Sequence, residues 1–175
     1  MTLSVNVATP TSFELVVPNI PITHGDETGQ ILLQLFNAVI PSLDVTDEIF
    51  MQWQGHRAGT DPGGGIIFND WMASFFVDAD FTNWYGLYRW IMYTVRGDLM
   101  HHSIHPTLFV KDNFGSNVLV VDFIGAWIKS LGEVTLNTQS GEEYLQSTFT
   151  LSYNEYKVRR PTDPITSELP EGHVL

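Results

Sequence analysis

The chain contains no cysteine, which excludes disulfides and thiolate metal or redox sites. It carries only eight Lys and Arg in 175 residues, against twenty Asp and Glu, for a net charge of −12. So few cations exclude the clustered basic surface that holds nucleic acid by its phosphates. No apolar run reaches the length of a membrane span. The N-terminus lacks a basic segment ahead of an apolar core, so no export signal is legible. What is present is a composition 43% hydrophobic and 13% aromatic, too apolar for a disordered polypeptide. These bounds predict one soluble, non-exported domain over residues 1–160 with no membrane binding. A mobile tail is expected at 161–175, where Pro161, Pro164 and Pro170 fall among few apolar residues.

Hydrophobic periodicity reads as mainly β with one helix. Ser12 to Val17 is an expected first strand, stopped by Pro18 and Pro21, and Gln30 to Ile40 a second, ended by Pro41. Asp47 to Gln54 reads as a strand. His56 to Gly65 reads as a flexible loop because of Gly63, Gly64 and Gly65. Ile66 to Val77 is apolar at successive positions, which predicts one strand covered on both faces. Asp80 is the expected N-cap of a helix whose apolar stripe is Phe81, Trp84, Tyr88, Ile91 and Val95, with Gly97 as its stop. A hairpin is expected from Thr107–Lys111 and Asn117–Ile124, turning around Asn113 to Ser116. The end of the chain reads as a strand at Ser130–Leu136 and a long strand from Ser147 to Tyr156. Phe149, Leu151 and Tyr153 there alternate with polar residues.

Chemistry finds little support in the motifs. His101, His102 and His105 have zinc-like spacing, but Pro106 follows and no HExxH glutamate is present, so a surface link is the better reading. Asp78 and Asp80 sit where helix capping and the helix dipole explain them. Gly63 to Gly65 lack the Lys-Ser/Thr of a phosphate loop, and no Gly-x-Ser-x-Gly elbow occurs. The sequence therefore predicts no enzyme, no metal and no cofactor. An aromatic cleft of Trp53, Trp71 and Trp84 for a sugar or peptide, and a metal enzyme around His101 and His105, stand as alternatives. The surplus of large apolar residues in two strands predicts self-association instead, with Phe68, Trp71, Phe75, Val121 and Phe149 as candidate interface residues.

The order of these features resembles the tail tube proteins of contractile-tailed bacteriophages. The resemblance is carried by Asn19-Ile20, the Pro-ended strand Ile31 to Pro41, Phe68-Asn-Asp-Trp71 ahead of a helix, Trp127-Ile-Lys-Ser-Leu-Gly-Glu133, and Thr148-Phe-Thr to Tyr156. It implies a β-sandwich or barrel-like subunit with a flanking helix, in homo-hexameric rings that stack into a virion tail tube for DNA ejection. The same fold builds tube-initiator, terminator and baseplate hub rings, and type VI secretion tubes. Implied partners are further copies, the sheath, the baseplate and tube-terminator proteins, with assembly in the host cytoplasm. DNA would pass without adhering, so acidic lumen candidates are Asp47, Glu48, Asp122 and Glu133. Ring-stacking candidates are His56, Gly63, Gly64, Gly65, Lys157, Arg159 and Arg160.

Overall fold

The computed structural model describes residues 12–21, 28–45, 49–53, 56–61, 65–96, 104–136 and 144–161. Asp47, Glu48, Gly63, Gly64, Gly97, His101, His102, the expected turn at Gly141 and residues 162–175 of the expected tail lie outside them. Among the described residues twelve strands and one helix run in the order β1 (Ser12–Pro21), β2 (Thr28–Ala38), β3 (Leu43–Val45), β4 (Ile49–Trp53), β5 (His56–Asp61), β6 (Ile66–Phe68), β7 (Trp71–Phe76), α1 (Thr82–Val95), β8 (Thr107–Lys111), β9 (Asn117–Ile124), β10 (Trp127–Leu131), β11 (Gln146–Ser152) and β12 (Glu155–Arg159). The mainly β class with one helix is as expected from the sequence.

Eight strands form one antiparallel sheet in the order β10-β11-β7-β2-β1-β8-β9-β12. In a flat sheet β7 and β9 would stand about 19 Å apart, four strand spacings. Yet the rings of Trp71 on β7 and Phe123 on β9 lie 4.9 Å apart. The sheet is therefore curled on itself into a barrel-like sandwich. Its concave face is the core, built from Leu15, Val17, Leu33, Leu35, Phe75, Val121, Phe149 and Leu151. The helix lies on that side, packed against β1, β2 and β10. Gly86 makes the close approach possible, because a Cβ there would fall 2.0 Å from Ile31 Cδ1.

Several local expectations are corrected. β1 runs on past Pro18, with a register shift between Val17 and Ile20 that accommodates a residue unable to donate to the ladder. Residues 56–61, expected as a flexible loop, form β5 and pair with β4. The expected single strand from Ile66 to Val77 is broken at Asn69 and Asp70. Asn69 Nδ2 donates to Asp44 Oδ2 at 2.9 Å and Ser42 Oγ at 3.3 Å, which ties the break to β3. Only one face of β7 is covered: Trp71, Ala73 and Phe75 are buried while Met72 is 60% exposed.

The helix begins at Phe81, not Asp80, and its cap residue takes a left-handed φ of 57° without a side-chain cap bond. Its buried face is Asn83, Gly86, Leu87 and Trp90, whereas Tyr88 and Val95 of the expected stripe are exposed. Asn83 is buried because its side chain satisfies three backbone groups. It donates to Phe76 O at 2.8 Å and accepts from the Asp78 and Trp84 N–H groups at 3.2 and 2.7 Å. The hairpin of β8 and β9 forms as expected, with Asp112 Oδ1 accepting from the Phe114 and Ser116 N–H groups. The expected last strand is divided at Tyr153 and Asn154, so β11 lies beside β7 and β12 crosses to β9. Gly125 allows this corner: its φ is +64°, and a Cβ would meet Asn154 Nδ2 at 2.3 Å. The expected strand at Ser130–Leu136 is β10, which starts and ends earlier.

Candidate assembly surfaces

The expected interface residues mostly hold one chain together. Trp71, Phe75, Val121 and Phe149 are at most 2% exposed. Phe68 is half-buried, edge-on to Tyr153 and Tyr156. Curling explains the correction, since strands apolar at these positions cover one another across the sandwich and leave no apolar face there for a neighbour.

The exposed apolar surface lies elsewhere. β3 pairs with β6, and β4 with β5, so these four strands form two nested ladders, here called the arm, that are separate from the eight-stranded sheet. At its root Val39, Ile40, Leu43, Val45, Ile66 and Ile67 are all 49–66% exposed. Adjacent residues of one strand point to opposite faces, so neither face at the root of this arm is covered. Two aromatic donors fix the chain where it leaves the body. Trp71 Nε1 donates to Val39 O, and Tyr156 Oη donates to Pro41 O at 2.8 Å. The consecutive apolar pairs Val39-Ile40 and Ile66-Ile67 were the sequence signal for this surface. A second unfinished feature is the sheet itself, whose edge strands β10 and β12 each lack a neighbour on one side among the described residues.

Charged residues are distributed unevenly. All eight Lys and Arg fall among the described residues, but only ten of the twenty Asp and Glu do, so the described part is nearly neutral. On the convex face charges are paired. Asp122, a lumen candidate, accepts from Arg159 Nε and from Thr107 Oγ1, both at 2.8 Å. Lys111 Nζ meets Glu14 Oε2 at 2.6 Å. Glu133 is exposed just after β10. Of the stacking candidates, His56 opens β5, Gly65 immediately precedes β6, and Lys157, Arg159 and Arg160 are exposed at the β12 edge.

Of the residues in the chemical alternatives, His105, Trp71 and Trp84 can be placed, while His101 lies outside the described residues. His105 Nδ1 accepts the Gly125 N–H at 3.1 Å, a bond that braces the β9–β10 corner. Among the described residues no group of three or more His, Asp and Glu could hold a metal ion. Trp71 is sealed under Phe123 and Phe149, while Trp84 lies on α1, so these two do not share a cleft.

No protein-family model matches the chain. It is 26% identical over 165 residues to the tail tube terminator protein of Enterobacteria phage T4, a match covering 89% of this chain and 90% of that protein. In sequence and in fold the chain is similar to tail tube proteins. Solved structures carry the same fold. A sheath/tube terminator structure of the extracellular contractile injection system PVC superposes with a TM-score of 0.62 at 14% identity, covering 89% of this chain and 99% of that one. A chain of the anti-feeding prophage baseplate superposes with the same TM-score at 9% identity, covering 90% and 98%. Given this likeness, the exposed arm and open sheet edges become the surfaces to explain.

Proposed function

We propose that this chain is the terminator of a contractile tail tube: six copies close into a ring that ends the stack of tube rings in the virion tail. The observation that carries this reading is the match along nearly the whole chain to the phage T4 tube terminator. Likeness of fold alone is equal for a terminator and a baseplate structure, so the sequence match is what supports the terminator. It also favours a terminator over a repeating tube subunit.

The ring closes through unlike surfaces. Edge β10 of one copy meets edge β12 of the next, which satisfies exposed ladder groups and leaves a six-membered ring no free edge. The arm, carrying Leu43, Val45, Ile66 and Ile67, reaches a neighbouring ring or copy. Burying each half-exposed side chain contributes about 1 kcal/mol, half the full transfer value. The protein works by shape and assembly, without catalysis, and meets the last tube ring and the sheath end. DNA passes through it without adhering, because its cations are few, and Lys111, Lys129 and Arg159 among them are ion-paired.

The test is to add the purified protein to polymerising tube subunits of the same particle. Substoichiometric amounts should shorten the tubes, and the protein alone should stop at rings. Unlimited polymerisation of the protein by itself would overturn the terminator reading in favour of the repeating tube subunit.

A further inference from the structure

One aromatic surface belongs neither to the core nor to the arm nor to the sheet edges. At the start of α1 a cavity of about 480 Å³ is lined by Asp80, Phe81, Thr82, Trp84, Tyr85 and Gly86. Trp84 and Tyr88 stack almost parallel, 5.9 Å apart with 6° between planes. Tyr85 continues the row, 6.2 Å from Tyr88 at 24°. Tyr88 is the middle ring, and Tyr85, at one end of the row, remains 50% exposed. Beside them Asp78 and Asp80 are exposed, with no ion pair to either among the described residues. The helix dipole accounts for two carboxylates at this position, but it does not account for a ladder of solvent-facing rings.

We propose that this surface docks an arginine side chain of a different, basic protein. A planar guanidinium in this cavity can lie on the face of Tyr85 and direct its N–H groups to the Asp80 carboxylate, with the exposed Asp78 adding negative charge nearby in sequence. A lysine ammonium gains the charge attraction but not the flat stack or the fork. The same helix already contains such a contact, with the Arg89 guanidinium 5.4 Å from the Tyr93 ring centre. Charge decides the kind of partner. This chain has twenty acids to eight bases, and Lys111, Lys129 and Arg159 are ion-paired in place. A second copy is therefore a poor source of the cation, and a basic chain of other sequence fits. The inference stands on this surface alone and is independent of the terminator reading.

The experiment titrates the intact protein with tetra-arginine and tetra-lysine peptides in low salt, following tryptophan emission and heat. The expected result is tighter binding of the arginine peptide, with an emission change that Trp84→Phe removes. Tyr85→Ala and Tyr88→Ala should each weaken binding about two- to fivefold. Asp78→Asn with Asp80→Asn should weaken it and reduce its salt dependence. Thermal melts and native mass accompany each variant; the Tyr and Asp variants should stay folded because those side chains are exposed, and Trp84→Phe because it keeps an aromatic ring against the core. Equal affinity for both peptides with no loss in the tyrosine variants would overturn the proposal, since diffuse acidity would then suffice. Tyrosine variants that bind the peptide normally but no longer self-associate would also overturn it, assigning the surface to another copy.

Discussion

Tyr153 and Tyr156 offer a controlled comparison, because they share one aromatic cluster and differ in a single bond. Their rings meet edge-on at 5.9 Å, and both pack on Phe123. They are 7% and 9% exposed. Tyr156 Oη donates to Pro41 O, whereas Tyr153 Oη is shut away from solvent with no hydrogen-bond partner. Tyr156→Phe keeps the ring and removes the bond at the root of the arm, a loss of about 1 kcal/mol. For a chain of this length that is a fall of about 2–4 °C in melting temperature. Tyr153→Phe removes only an unsatisfied oxygen, so stability should hold or rise by about 1 kcal/mol. The two should also separate with pH. Burial, with smaller contributions from the Tyr156 and Asp70 charges, pushes the Tyr153 hydroxyl up to about 12 from 10.0. The unfolded chain thus loses this proton first, so stability is intact below pH 10 and falls as pH rises towards 12. Burial raises Tyr156 as well, which adds to the fall in the same direction. Tyr153→Phe should flatten the decline when urea or thermal unfolding is followed by circular dichroism at pH 7 and pH 11. A Tyr153→Phe variant that loses 2 kcal/mol or more at pH 7, or that declines with pH as steeply as wild type, would refute the reasoning.

Three further outcomes are expected. Val121→Lys puts an unpaired charge at a fully buried site, which costs several kcal/mol; the cooperative melt should disappear, and a folded monomer would show that Val121 is interfacial. Leu43→Ser with Ile67→Ser changes exposed arm residues and should leave the melt within about 1 kcal/mol of wild type, while size-exclusion chromatography shows weakened association. Wild-type protein should not shift duplex DNA in low salt; Asp122→Asn releases Arg159 beside Lys157 and should cost about 0.5 kcal/mol, and micromolar, salt-sensitive DNA binding by the wild type would contradict the non-adhesive reading.

The sequence made some elements legible and hid others for physical reasons. Period-two alternation in β11 located Phe149 and Leu151 inside, and a polar turn between two apolar runs located the β8–β9 hairpin. The helix was legible in existence but not in face. Asn83 and Gly86 look neutral in a periodicity count, yet one is buried by its backbone bonds and the other by its lack of a Cβ. Tyr88 and Val95 fit the apolar stripe and are exposed. β5 was hidden because His56-Arg-Ala-Gly-Thr-Asp61 has no alternation; its strand is held by the backbone ladder to β4. The break at Asn69 depends on Ser42 and Asp44, more than twenty residues earlier. The candidate interface was misplaced because apolar strands were read as a flat sheet with two faces to cover, whereas contact between Trp71 and Phe123 shows that the sheet covers itself. The net acidity was plain, but the pairing of Asp122 with Arg159 and of Glu14 with Lys111 was not.

Native mass spectrometry with negative-stain microscopy of the purified protein tests the central claim most directly. Closed rings with a mass six times the 19.7 kDa chain, which do not lengthen into tubes as concentration rises, are the expected result. A monomer that persists at high concentration in several salts would contradict ring assembly, and tubes of indefinite length would contradict the terminator.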